Sequence, residues 1–369
     1  MDCSLCLLIN NKRNNNITKR QKTSFVFCLF SILSYNRNMQ YIRSGKYEKV
    51  EQLSSHLYLI DDFDLQHNER TGTYVLLGDD ITLIETCAAP SLPYILDGLQ
   101  QLHIDLNDVK NIIVTHVHLD HAGAAGLMME KCPNATLYVH SRGARHMIDP
   151  TKLILGAKAV YKEDFDKLFD PILPIEEERV RIVQHGDTLK IAEERILTFY
   201  DTPGHAKHHI SIHDSLTNGI FTGDTIGIYY RELANVGVEL YLPSTSPSQF
   251  QPDAMIASKN HIQSMDVDTI YFGHYGASSH VTEVYNQLEH WLPIFVQTGK
   301  EVFEKYNDFD EATKALQTLL MDKISSHLTK LNVPSDHSVY NILHLDIEIS
   351  AMGIIDYFTK QEKANSTIN

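Results

Sequence analysis

The sequence predicts an α/β (α+β) fold with a C-terminal helical extension. Two groups of short strand-like runs alternate with helix-like segments up to about residue 280, and beyond residue 281 only helical patterns continue. Histidine and aspartate side chains also gather where several of these runs end. Strands in two groups, each followed by helix, imply either two packed sheets with helices outside or one large α/β sheet. The length of 369 residues fits one large domain with an appendage, or two domains. The expected boundaries are a leading segment 1–38, a main domain 39–280 and a helical extension 281–369.

The runs LYLI (57–60), TYVLLG (73–78) and ITLIE (81–85) are rich in β-formers, and Gly78-Asp79-Asp80 marks a hairpin turn between the last two. SLPYILDGLQQL (91–102) repeats apolar residues at a helical period, and Pro93 suits its first turn. NIIVT (111–115) reads as a buried strand, AGAAGLMMEK (122–131) as helix and TLYVH (136–140) as strand. After a charge-mixed stretch at 160–180, strand patterns resume at 180–185, 196–200, 210–213 and 219–223. A helix is expected over 252–265 and a strand over 268–272. In the tail, Leu316, Leu319, Leu320, Ile324, Leu328 and Leu331 form an apolar stripe that would pack on the domain or on a second copy of the chain, giving a homodimer.

The net charge of −15 disfavours nucleic acid or an anionic membrane as partner of the main body, because phosphate contacts need Lys and Arg. A small-molecule substrate is the expected partner. Five cysteines, with only Cys87 and Cys132 beyond residue 38, make no disulfide framework and suggest a cytoplasmic protein. Residues 1–38 differ from the rest: six basic residues against one acidic give +5, leaving −20 for the remainder. Their apolar run SFVFCLFSILS has 11 residues, short of the ~20 that span a bilayer. Three readings fit this segment: translation that starts at Met39, a targeting segment that would make the protein exported, or an ordered arm.

THVHLDH (115–121) directly follows the strand NIIV. His116 and His118, two residues apart, point to one side of an extended strand end, and Asp120 and His121 follow where the chain turns into helix. Leaving four such groups unpaired in one place is costly, and a bound metal removes the cost. TPGHAKHH (202–209) offers His205, GIFTGDT (219–225) offers Asp224 and FGHYG (272–276) offers His274, each just after a strand. Ligands at strand ends, drawn from distant sequence, suit sheets whose ends face one crevice.

In this order, H-x-H-x-D-H, T-P-G-H, G-D-T and G-H, the chain resembles the metallo-β-lactamase-fold hydrolase superfamily over about residues 55 to 280. The resemblance implies an αβ/βα four-layer sandwich with the site along one edge. It implies that His116, His118 and His205 hold one metal, that Asp120, His121 and His274 hold a second, and that Asp224 bridges them. Glu85 stands where the family often has Asp, in LIETCAA, and would accept hydrogen bonds from the metal loop. His209 matches a further family histidine expected to support the ligands, while His208 stands where Gly is usual. Gly227 occupies the position of a lactonase tyrosine, with Tyr229 and Tyr230 slightly further on, and His118 departs from the oxygen-reducing branch, which usually has Glu there.

Five imidazoles and two carboxylates suit two divalent metal ions: zinc first, with iron or manganese as alternatives. The implied activity is a dinuclear metal-dependent hydrolase whose metal-bridging hydroxide attacks a small ester, lactone or thioester. In that reading Asp120 and Asp224 are catalytic, Asp120 receives the proton, and Tyr229 (or Tyr230 or Tyr241) donates to the oxyanion. The alternatives are a phosphodiesterase of the same fold, or a di-iron oxygen-binding or sensor protein. The loop 233–250 and the insertion 154–172 are the expected walls of the substrate pocket.

Overall fold

The computed structural model describes residues 49–368; the segment 1–38 and the boundary at Met39 lie outside the described residues. Of the two arrangements that fit the sequence, two packed sheets is the one adopted. The first sheet holds seven strands in chain order: β1 (Val50–Ser54), β2 (Leu57–Asp61), β3 (Gly72–Leu76), β4 (Ile81–Ile84), β5 (Val109–Ile113), β6 (Thr136–His140) and β7 (Val180–Val183). β1 to β4 form an antiparallel meander, and β4 to β7 run parallel. Parallel neighbours need crossovers. These are supplied by α1 (Leu92–Gln101), then α2 (Leu119–Ala122) and α3 (Ala125–Lys131), then α4 (Ser141–Ile148), α5 (Thr151–Tyr161) and α6 (Phe165–Phe169).

Six strands form the second sheet: β8 (Thr188–Ala192), β9 (Arg195–Asp201), β10 (Ile210–Asp214) and β11 (Gly219–Gly223), with β14 (Thr269–Phe272) and β15 (Ala277–Ser278) beyond β11. A small hairpin, β12 (Ile228–Tyr229) with β13 (Tyr241–Leu242), and the helix α7 (Pro252–Gln263) lie between β11 and its parallel neighbour β14. β1, β8 and β15 have no counterpart in the sequence reading. All three are sheet edges, and β1 and β8 are mostly half-buried or exposed, so their alternation is weak.

Leu59, Tyr74 and Ile113 of the first sheet pack against Leu197, Phe199 and Ile212 of the second in one core. A second core lies between the first sheet and α1, α3 and α4, and a third between the second sheet and the later helices. The layers are therefore helix, sheet, sheet, helix, the αβ/βα sandwich. β3, β5 and β11 are sandwiched on both faces, which explains their near-continuous apolar text. Arg195 ties the sheets together: Nε and Nη2 donate to Asp214 at 3.0 and 2.7 Å, and Nη1 donates to the carbonyls of His56 and Leu77 at 2.8 and 3.2 Å. Its guanidinium is buried, so this full set of partners is what makes the charge tolerable there.

The extension consists of α8 (Val281–Phe303), α9 (Phe309–Lys330) and α10 (Val339–Ile368), and it shares the third core with the second sheet. Asp308 caps α9 by accepting the Glu311 N–H at 2.9 Å. Leu316, Leu320, Ile324 and Leu328 of the expected stripe are fully buried, but Leu319 and Leu331 are 42% and 41% exposed. The stripe is thus narrower than its sequence pattern: the i, i+4 row makes the contact and its flanks face outward. No helix among the described residues is long and apolar enough to cross a membrane.

Candidate metal centre

All seven expected ligands meet at one edge of the sandwich. Beyond β5 the chain bends at Thr115 and His116 and is extended again at His118, then the single turn α2 brings the His121 ring to 4.3 Å from that of His116. The His121 and Ala122 N–H groups both reach the His118 carbonyl, at 3.1 and 2.8 Å, which fixes that turn. His205 follows the bend after β9, Asp224 follows β11 and His274 follows β14.

Close backbone approach makes room for these side chains. Gly223 has φ +46°, and a Cβ there would strike the Thr115 hydroxyl and lie 2.5 Å from His209 Nε2. A Cβ on Gly273 would lie 2.7 Å from His121 Cε1. Glycine at these two positions is what lets β11 and β14 deliver their ligands.

Two donor groups result. His116, His118 and His205 each place a nitrogen within 4.8 Å of the others, and Asp120, His121 and His274 do the same with a carboxylate oxygen and two nitrogens. Glu85, His116 and His121 form a third, overlapping group by the same measure. Asp224 stands between the first two: Oδ2 is 3.7 Å from His205 Nε2 and 3.4 Å from His274 Nε2, and Oδ1 is 3.2 Å from His121 Nε2. His205 Nε2 is 2.9 Å from His118 Nδ1.

The groups are held differently. Burial, helped by neighbouring imidazoles, pushes His116 and His118 well below the usual histidine range, so both are neutral and keep a lone pair. Burial lowers His121 too, but Asp224, Asp120 and Glu85 outweigh it and raise it to about 10. His274 is also raised, with Asp224 overcoming burial, and Asp224 itself is held well below the carboxylate range by His121, His274 and His205 against its own desolvation.

His116 Nε2, both nitrogens of His121 and Asp224 Oδ1 are buried without a hydrogen-bond partner. Such orphaned groups are costly unless a ligand takes their lone pairs. Two divalent cations fit this set: five imidazoles and two carboxylates, with no thiolate among them.

Around the ligands, polar groups set their protons. Glu85 accepts from the Thr115 N–H at 3.4 Å and, at short range, from its hydroxyl. The Thr115 oxygen, 3.0 Å from His116 Nδ1, is then left to accept that N–H, which turns the Nε2 lone pair inward. His209 Nε2 accepts the Asp224 N–H at 3.2 Å, so its proton lies on Nδ1, 3.0 Å from the Thr202 hydroxyl. His208 stacks on His116 with ring centroids 6.2 Å apart. Tyr229 lines a narrow pocket beside His274 and stacks on Tyr241, whereas the hydroxyls of Tyr230 and Tyr241 are already committed to Asp346 and Ser278.

Some residues of this region carry no sequence signal of their own. Ser244, inside the loop 233–250, accepts the His205 Nδ1 proton on its carbonyl at 3.0 Å and donates its hydroxyl to Asp224 Oδ2 at 3.1 Å. Asp64, Arg70 and Asp346 form a buried ion network near His274. The insertion helices α5 and α6 cover Leu119 of the metal loop with Phe165, Phe169 and Ile154.

A sandwich of this layout that gathers such donors at its edge defines a metal-dependent hydrolase fold. The model of the metallo-beta-lactamase superfamily matches residues 69–274, more than half of the chain, and the chain belongs to that superfamily of hydrolases. It is 25% identical over 150 residues to the metallo-beta-lactamase fold-containing protein ST1585 of Sulfurisphaera tokodaii, covering 38% of this chain and 51% of that protein. The solved structure of ST1585 superposes with a TM-score of 0.56 at 20% identity, covering 82% of this chain and 98% of that one. An N-acyl homoserine lactonase of Rhizobium radiobacter is 31% identical over 33% of this chain and 42% of its own length. A rubredoxin-oxygen oxidoreductase of Megalodesulfovibrio gigas is 27% identical over 36% of this chain and 27% of its own length. The matched region thus spans about half or less of each of these curated relatives.

Proposed function

We propose that this chain is a dinuclear metallohydrolase of small esters, lactones or thioesters. The observation that carries the reading is the pair of donor groups sharing Asp224, with their orphaned buried atoms. His116, His118 and His205 would hold one cation, and Asp120, His121 and His274 the other. Bound there, such a pair supplies Lewis acidity and acidifies water to a pKa near ~7.

The chain's own residues do the rest. Asp224 keeps the two donor groups in register. Asp120, with 26% of its side chain exposed, is the most open ligand of its group and so the one placed to orient water and take up its proton. Tyr229 lines the narrow pocket beside His274 and would donate to an oxygen that gains charge there. The Thr115 and Ser244 contacts hold the ligands without reaching the substrate.

The likeness to a lactonase supports a lactone or related acyl substrate. Cys87 and Cys132 are unpaired thiols, which supports a cytoplasmic setting. The test is metal analysis of protein purified without added metal, followed by a panel of lactones, esters, thioesters, phosphodiesters and β-lactams. Two equivalents of zinc, iron or manganese with acyl-ester turnover is the expected result. Turnover of phosphodiesters alone, or an iron band shifted by oxygen without hydrolysis, overturns it.

A further inference from the structure

The pocket beside His274 contains a charged network that the metal donors do not use. Its wall includes Glu69, Arg70, Tyr229, Glu232, His274 and Asp346. Arg70 comes from the loop between β2 and β3, and its side chain is 9% exposed. Nε donates to Asp64 Oδ2 at 3.1 Å and Nη1 donates to Asp346 Oδ1 at 2.9 Å. Asp346 lies on α10 and accepts a further bond from the Tyr230 hydroxyl at 3.1 Å, so its carboxylate is fixed from both sides. Nη2 of Arg70 has no hydrogen-bond partner among the described residues.

This guanidinium is clamped at two of its three nitrogens and nine-tenths buried, so it loses little freedom in making one more bond. Arg70 lies in the same pocket wall as His274, close enough to Asp120 for their charges to act on each other. With no protein partner and no place among the fully buried orphaned atoms, Nη2 keeps access to solvent, where a ligand oxygen can replace water as its acceptor.

Charge decides what kind of acceptor. One positive charge on Arg70 meets Asp64 and Asp346 directly, with Glu69 and Glu232 in the same wall. At Nη2 itself an anionic oxygen faces this excess of carboxylate and would be drawn to the neighbouring cation pair instead, whereas an uncharged carbonyl oxygen takes the N–H pair without that repulsion.

We propose that Arg70 binds substrate by donating from Nη2 to an uncharged carbonyl oxygen, and that Asp346, supplied by the helical extension, is the positioning residue that aims it. The proposal rests on the hydrolase reading above and narrows its substrates to those with a neutral carbonyl beside the metal pair.

The test titrates metal-replete wild type, Arg70→Lys, Asp346→Asn and the double variant with two probes. One is δ-valerolactam, an uncharged carbonyl in a lactone-like ring; the other is methylphosphonate, an anion of similar size. Lys keeps the charge but loses the planar N–H pair. Lactam binding should weaken about tenfold in Arg70→Lys. It should weaken less in Asp346→Asn, and Asp346→Asn should add nothing in the Arg70→Lys background. Methylphosphonate binding should stay unchanged in every variant.

With an ester that the wild type hydrolyses, Asp346→Asn should raise KM with little change in kcat. Melting temperature and metal content report folding, and if Arg70→Lys does not fold, Asp346→Asn carries the comparison with both probes. The proposal is overturned if lactam fails to bind wild type, if it binds Arg70→Lys or, where that variant does not fold, Asp346→Asn equally well, or if methylphosphonate is the probe that weakens. Absence of any ester, lactone or thioester hydrolysis would instead overturn the functional reading, while the lactam titration still reports on Arg70.

Discussion

The two flanks of the candidate metal centre are built from similar side chains and stabilised in different ways. On one flank, His116, His118 and His205 crowd together, burial drives all three neutral, and His116 Nε2 is left without a partner. On the other, His121 and His274 lie among Asp120, Asp224 and Glu85, and opposite charges hold them. One flank sets carboxylates beside its imidazoles, although both His121 nitrogens and Asp224 Oδ1 still lack hydrogen-bond partners; the other, apart from the shared Asp224, gathers imidazoles alone. Asp224 belongs to both, and this difference should be legible in variants.

The largest effect is expected for Asp224→Ala. Both cations should be lost and turnover abolished, with far-ultraviolet circular dichroism unchanged; a variant that keeps two metals and turnover would break the idea of a shared carboxylate. His118→Ala should abolish turnover and remove the metal of the imidazole flank first, leaving about one equivalent by elemental analysis. Loss from the carboxylate flank instead would reverse the comparison. Thr115→Val cuts the relay from Glu85 to His116, and titration with a chromogenic chelator should show metal affinity lower by tens of fold, within the ~10–100-fold typical of such supporting contacts. Ser244→Ala deletes only a hydroxyl on Asp224 and leaves the carbonyl that orients His205, so about tenfold or less is expected. If Ser244→Ala costs more than Thr115→Val, the flank with paired charges is the more fragile one.

Much of this was legible in the chain. THVHLDH is a local signal, because one strand end and one helical turn suffice to converge four side chains, all of which its spacing predicts. His205, Asp224 and His274 were legible because each directly follows a strand. Glu85 and His209 appeared where supports for the ligands were expected, although their partners, Thr115 and Thr202, could not be read from spacing. The edge strands β1 and β8 were illegible because an edge buries too little to impose alternation. The stripe on α9 gave the right face but the wrong width, since periodicity finds the centre of a buried face and not its margin. Ser244 had no pattern to betray it. Arg70 and Asp346 are separated by 276 positions, and nothing in HNERT or LHLDIE announces that they touch.

That last contact sets an order of events during synthesis. Every donor from His116 to His274 is translated before α10, so a nascent chain can complete its sandwich edge while Arg70 still has only Asp64 beside it. Arg70 acquires its second carboxylate partner only once the ribosome has passed residue 346, so the clamp on its guanidinium closes after every candidate metal donor has been made.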